Sequence, residues 1–198
     1  KYFDKYAKLK RTFEALNIQI AETKEEIEHL ESISNSLDIA RQDSDLTAIK
    51  RELSDCGYIK KHHEKNKGNK NTGKSKPLHY ISSDGFDMFV GKNNYQNDEL
   101  TFKIATGNDW WFHAKANAGS HVIVKTDGKE LPDRTFEEAA RLAAHYSKAC
   151  EQGKAEIDYI QKKHIKKPNG SKPGFVVYYT NYSMTISTDI TGIQEVTE

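Results

Sequence analysis

From Tyr2 to Leu37 apolar residues recur in alternating steps of four and three: Tyr2, Tyr6, Leu9, Phe13, Leu16, Ile20, Ile27, Leu30 and Leu37, with Thr23 and Ser34 as polar steps in the same seam. No glycine or proline interrupts the run. A heptad seam of this length predicts one continuous helix of the coiled-coil type, reaching roughly 50 Å or more at 1.5 Å per residue. Such a rod cannot bury its own apolar stripe. It calls for a partner helix, supplied by chain upstream of Lys1 or by self-association with a second copy. Lys1 already falls inside the helical pattern, which reads as a fragment continuing from a missing upstream part. Glu22, Glu25, Glu26, Glu28 and Glu31 cluster with Lys24 as the lone base among them, so this part of the rod should repel phosphate.

The pattern breaks near Ala40. Leu46, Ile49 and Leu53 then restart a short amphipathic return helix, capped by Asp43 or Ser44 and ended at Cys56-Gly57. Tyr58 to Lys76 is a compositional break, with seven lysines among His, Asn and Gly and Glu64 as its one acid. This reads as a basic flexible linker, either a solubilising connection or an arm for a nucleic-acid backbone. The expected division is a coiled-coil arm at 1–57, the linker at 58–76 and a folded domain at 77–198. The hydrophobic fraction of 36% and charged fraction of 30% fit a modest core carrying a long polar element. Formal net charge is only +1, so binding to a polyanion must rest on where charge sits. Cys56 and Cys150 have no framework spacing and read as free thiols of a reducing, cytoplasmic compartment. No apolar run has membrane-spanning length, and no membrane partner is expected.

Within the domain, His79–Ser82 and Phe86–Val90 predict a hairpin turning at Asp84-Gly85. Asn97 caps a short helix, Thr135 with Glu138 forms a capping box for a second, and strands follow at Ala155–Ile160, Phe175–Tyr179 and Met184–Ser187. The tail to Glu198 carries little pattern. The fold class is α+β: a long coiled-coil helix and short return helix, then a compact domain with an antiparallel or mixed sheet and two helices. Its centre is Asn108–Lys125, which holds both tryptophans. Alternation puts Trp110, Phe112 and Ala114 on one face and Trp111, His113 and Lys115 on the other. The first face reads as core. The second could stack and neutralise a polyanion, or equally pack beneath a neighbouring helix.

Catalytic chemistry finds little support. Asp109 and His113 are spaced at roughly 13 Å along a strand, and no HExxH, cysteine cluster or carboxylate pair accompanies His113 and His121. Ser120 beside His121 lacks a nucleophile elbow and an orienting acid. Gly91 and Gly107 are isolated turn glycines. No catalytic residue, metal or cofactor is therefore assigned. His121 alone reads as a satisfied sheet residue, and a second basic run from Lys162 to Lys172 lies in a Gly/Pro-containing loop of the kind that carries lysine to phosphate.

Three ordered segments, SSDGFDMFVGKNNYQNDEL at 82–100, DWWFHAKANAGSHVIVK at 109–125 and HIKKPNGSKPGFVVYYTNYSMTI at 164–186, closely resemble the C-terminal RNA-binding (NFACT-R) domain of the Rqc2/NEMF/RqcH family, whose bacterial members were also called FbpA-type fibronectin-binding proteins. The heptad rod resembles the distal arm of that family's coiled-coil hairpin. The shared positions are Asp84, Gly85, Lys92, Asn93, Asn94, Asn97 and Asp98, then Trp110, Trp111, His113, Gly119, Ser120 and His121, and finally Lys166, Lys167, Pro168, Lys172, Pro173 and Gly174. The resemblance implies a factor of ribosome-associated quality control that binds the large ribosomal subunit and tRNA or peptidyl-tRNA, and promotes template-free alanine tailing of stalled chains. The implied RNA-binding residues are Lys92, Asn93, Asn94, Trp111, His113, Lys115, His121, Lys166, Lys167 and Lys172, with the lysines on phosphate. Ala118 replaces a proline usual before GSHV, and the family's N-terminal domain and middle helices have no counterpart here. The competing expectation is a protein-interaction or fibronectin-binding module without RNA affinity.

Overall fold

The heptad run forms one helix, α1, over Tyr2–Ile39 in the computed structural model, which describes residues 1–60 and 75–196. Most of the basic linker expected at 58–76 lies outside the described residues. The seam is open along its length, from Tyr6 to Leu37, and among the described residues no helix lies along it. Coiled-coil pairing is thus a property α1 is patterned for and does not complete among the described residues. A different stripe is covered near its end: His29, Ile33, Ser36 and Ile39 are buried, whereas the neighbouring seam positions Leu30 and Leu37 remain 41% and 49% exposed.

The return helix α2 spans Asp43–Asp55. Its cap is Gln42, not the expected Asp43 or Ser44, because the Asp45 carboxylate reaches back to the amides of Arg41 and Gln42 at 2.9 and 3.2 Å. Gly57, at φ +82°, ends it in the left-handed conformation that a side chain would disfavour.

Among the described residues seven strands follow: β1 Leu78–Ile81, β2 Asp87–Val90, β3 Trp110–Ala114, β4 Val122–Val124, β5 Lys154–Gln161, β6 Tyr182–Ser187 and β7 Gln194–Glu195. They form one sheet in the order β6-β5-β3-β4-β2-β1-β7, with every ladder antiparallel. β7 was not legible in the sequence; two pairs with Tyr80 and Ile81 hold it. The expected strand at Phe175–Tyr179 reduces to a single bridge between Lys166 and Val177, since this segment lies across the sheet instead of joining its edge.

Both faces of the sheet are covered. On one, the register Trp110↔Val124 and Phe112↔Val122 aligns apolar residues beneath α4, Asp133–His145, whose Ala139, Ala140, Ala143 and Ala144 allow close approach. The expected cap of α4 at Thr135 is displaced. The helix begins at Asp133 after Pro132, while the Thr135 hydroxyl donates to Asp84 at 2.8 Å and Glu138 accepts the Ser83 amide at 2.8 Å. The two residues of the expected capping box thereby hold the β1–β2 turn. On the opposite face Trp111, Ile123 and Ile160 lie under Leu100, Ala105 and Ile165. This cover comes from α3, Asn94–Glu99, its π-helical continuation Leu100–Ile104, and the segment after β5.

Candidate nucleic-acid interface

The segment GKNNYQND builds a polar joint. Asn93 caps α3 by accepting the Gln96 amide at 3.0 Å, and Asn97, where the cap was expected, accepts the His121 amide at 3.0 Å from inside the helix. Gly91 makes this possible, since a Cβ there would stand 2.1 Å from the Asn97 carboxamide oxygen. Asn94 donates to Glu52 of α2 and Ser32 of α1, both at 2.7 Å. His29 pairs with the same Glu52 at 3.1 Å. Lys92 forms a 2.6 Å ion pair with Asp45, both side chains almost wholly excluded from solvent. Burial by itself would raise the Asp45 carboxyl, but hydrogen bonds from Lys92, Ser75 and the Arg41 amide hold it below the ordinary carboxylate range. Lys92, Asn93 and Asn94, expected at an RNA surface, are instead internal. Lys92 and Asn94 attach the helical arm to the sheet domain, and Asn93 caps the helix between them.

The alternation of the central hairpin holds, but the face assigned to contact is closed at Trp111 and opens only toward Lys115. Trp111 is fully buried, with Tyr178 at 5.1 Å and His121 edge-on at 5.1 Å between ring centres. His113 stacks on the same indole at 5.5 Å and meets His121 edge-on at 5.4 Å. The two imidazoles do converge, yet in an apolar layer. Burial pushes the His113 pKa down to about 4 and His121 well below its ordinary value, with His113 adding to the second shift. His121 Nδ1 is satisfied by the Thr101 hydroxyl at 2.8 Å. Asp109 turns elsewhere, accepting from the Thr106 and Thr126 amides and from Lys125 at 2.7, 2.9 and 2.5 Å. Among the described residues no three His, Cys, Asp or Glu could hold a metal ion. The indole that retains solvent access is Trp110, opposite to the expectation.

The remaining lysines of the expected set do not form one patch. Lys115 is exposed but paired with Glu156 at 2.6 Å, just past the end of β3. The basic turn after β5 joins the start of β3 through the Lys162 amide and the Asp109 carbonyl at 2.9 Å, so a strand length of roughly 17 Å separates these sites. Lys167 binds Asp98 at 2.5 Å, and Asp98 also accepts the Gly174 amide at 3.1 Å. Lys172 is taken up by Tyr58, 3.2 Å from its hydroxyl and 5.7 Å from its ring centre. Lys166 is exposed.

A basic ridge nevertheless exists, composed of residues mostly outside that set. Lys162–His164 forms a 3-10 turn after β5, with Lys163, His164 and Lys166 exposed. The ammonium groups of Lys162 and Lys167 each stand 5.9 Å from the centre of the Phe102 ring, and exposed Lys103 is adjacent in the chain. Several cations beside a partly accessible aromatic can hold a sugar–phosphate chain and stack a base. The signal available in the sequence was the dense KKHIKK run. What it lacked was the position of Phe102 against it.

A family model for the NFACT protein RNA binding domain matches residues 76–179, just over half the chain, so the chain belongs to the NFACT family. A second model, for the NFACT N-terminal and middle domains, matches residues 1–72, which corrects the expectation that this part of the family has no counterpart here: the arm is matched by it. Among relatives, the Rqc2 homolog RqcH of Streptococcus suis (strain 05ZYH33) is 43% identical over 90% of this chain and 31% of its own length, and that of Bacillus subtilis (strain 168) is 36% identical over 95% and 32%. The chain therefore spans about a third of the length of these curated relatives. The solved C-terminal part of the fibronectin/fibrinogen-binding protein from Streptococcus suis superposes with a TM-score of 0.84 at 38% identity, covering 98% of this chain and 77% of that one.

Proposed function

We propose that this chain is the RNA-contacting part of a ribosome-associated quality-control factor, gripping tRNA or large-subunit rRNA through the ridge Lys103, Lys162, Lys163, His164 and Lys166 around Phe102. The observation that carries the reading is the pair of half-buried ammonium groups, Lys162 and Lys167, set against the Phe102 ring, with exposed Lys163, His164 and Lys166 beside them in the chain, on a domain whose family is described as RNA binding. The units are the arm at 1–57, the linker at 58–76 and the RNA-binding domain at 77–198. The open seam of α1 takes the upstream helix of the longer protein, and self-association replaces that pairing in the fragment alone. Alanine tailing in the cytoplasm is the activity of the whole factor that the RqcH likeness supports, and this third of it binds RNA without supporting tailing.

Electrophoretic RNA binding at two ionic strengths tests the assignment. Changing Lys162, Lys163 and Lys166 to Ala should flatten the slope of log K against log salt by about 2, each lost phosphate contact contributing roughly 0.7–0.9. An unchanged slope rejects the ridge. The described likeness to a fibronectin/fibrinogen-binding protein keeps one rival reading, which direct fibronectin binding without RNA affinity would establish.

A further inference from the structure

On the α4 side of the sheet, away from the basic ridge, Trp110, Phe136, Tyr159 and Tyr182 gather around an open groove of about 560 Å³. Trp110 meets Phe136 edge-on at 4.8 Å and lies 5.9 and 6.4 Å from Tyr159 and Tyr182, whose rings stack at 5.5 Å. Tyr182 is 61% exposed. The groove's ionisable lining is acidic: Asp133 and Glu137 project from one face of α4, one turn apart. Both carboxylates are exposed and carry no ion pair among the described residues. The floor is formed by β6, which occupies the end of the sheet with β5 as its one strand neighbour among the described residues, so its outer backbone edge is open to a further strand.

We propose that this groove binds an extended basic protein segment, which adds alongside β6 and places an arginine or lysine side chain among the aromatic rings beneath Asp133 and Glu137. Aromatic faces attract a cation through their quadrupoles, most strongly where water is partly excluded, and Trp and Tyr are effective at it. Two carboxylates at the rim supply the counter-charge and make the same surface repel a phosphate chain, which is why a nucleic acid is the disfavoured occupant. Alternation along β6 sends Tyr182, Met184 and Ile186 into the groove, so a peptide paired with this edge would offer every second side chain to the same face. The site is chemically the inverse of the ridge around Phe102, and the domain could hold protein and RNA together.

The test uses an acetylated, amidated peptide of alternating Arg and Thr, six residues long, titrated calorimetrically into the chain, with an eight-nucleotide oligouridine measured separately. The expected result is saturable one-to-one peptide binding. Its Kd should rise at least fivefold in D133N/E137Q and in Tyr182→Ala and be retained in Tyr182→Phe, and oligouridine affinity should be unchanged in all three. These side chains are exposed, and matching thermal melts check that each variant folds. Absence of peptide binding, or peptide affinity equal to the parent's in either the acidic or the Ala variant, overturns the proposal. So does loss of oligouridine affinity in Tyr182→Ala, which would make the groove a stacking platform for bases.

Discussion

Lys92 belongs to the motif that the family likeness suggested for phosphate, and the structure gives it a different task that can be measured. Its ammonium lies 2.6 Å from the Asp45 carboxylate, with 6% and 1% of the two side chains exposed. Lys92→Met keeps most of the aliphatic stem and removes the charge, leaving a buried anion. Breaking such a pair from one side costs about 3–5 kcal/mol. Asp45 keeps Ser75 and the amides of Arg41 and Gln42, so the lower end applies, about 3 kcal/mol. For a protein of this size that corresponds to roughly 6–12 °C in Tm. Adding Asp45→Asn removes the stranded charge and should restore at least about 1 kcal/mol, since an uncompensated ion is the main penalty. Urea denaturation followed by circular dichroism reads the stability, and electrophoretic mobility reads RNA affinity, which should not change. Stability within about 0.5 kcal/mol of the parent, the ordinary range for a surface substitution, together with weakened RNA binding would refute the buried-joint reasoning and return Lys92 to the RNA surface.

Three further outcomes are expected. His113 and His121 have folded pKa values below their unfolded ones, so they favour the folded state fully above pH 6.5 and this contribution is lost as pH falls toward 4. His113 alone should account for about 2 kcal/mol between pH 7 and 5, and His113→Gln should flatten that part of the denaturation profile; an unaltered profile would contradict its burial. Gly91→Ala must drive the Asn97 carboxamide off the buried His121 amide, a loss of about 1–3 kcal/mol, visible as a lower urea midpoint; an unchanged midpoint would show that Asn97 can move without penalty. Trp110→Phe leaves Trp111 as the single indole, and its emission should be blue-shifted and protected from acrylamide; ready quenching would place it at the surface.

Periodicity was enough for α1, the return helix and the two-faced hairpin, because each depends on local alternation of apolar and polar residues. It could not say which hairpin face solvent reaches. Trp111 is hidden by Leu100, from the continuation of α3, and by Ile165 and Tyr178, the last two brought over it by a segment whose Phe175–Tyr179 stretch has the composition of a strand and the path of a cover. Asparagines and lysines are a related case. GKNNYQND looks like a polar surface loop until Asp45, Glu52 and Ser32 arrive from the arm to absorb its donors. Thr135 and Glu138 fit a cap by spacing, and lost that role to a turn more than fifty residues earlier in the chain.

The joint between α1 and the sheet domain is made largely from directional polar contacts, and this determines what α1 does mechanically. Oily surfaces can slide by a fraction of a turn with little loss, whereas the Asn94–Glu52–His29 cluster and the Lys92–Asp45 pair are satisfied over a narrow range of angles. The stretch from Tyr2 to His29 projects roughly 40 Å beyond that clamp, so a tilt of a few degrees at the base would displace the tip by several ångströms. The helix works as a pointer whose bearing is set at one end, while its solvent-exposed apolar seam, one residue out of phase with the clamp, leaves the side free for another helix.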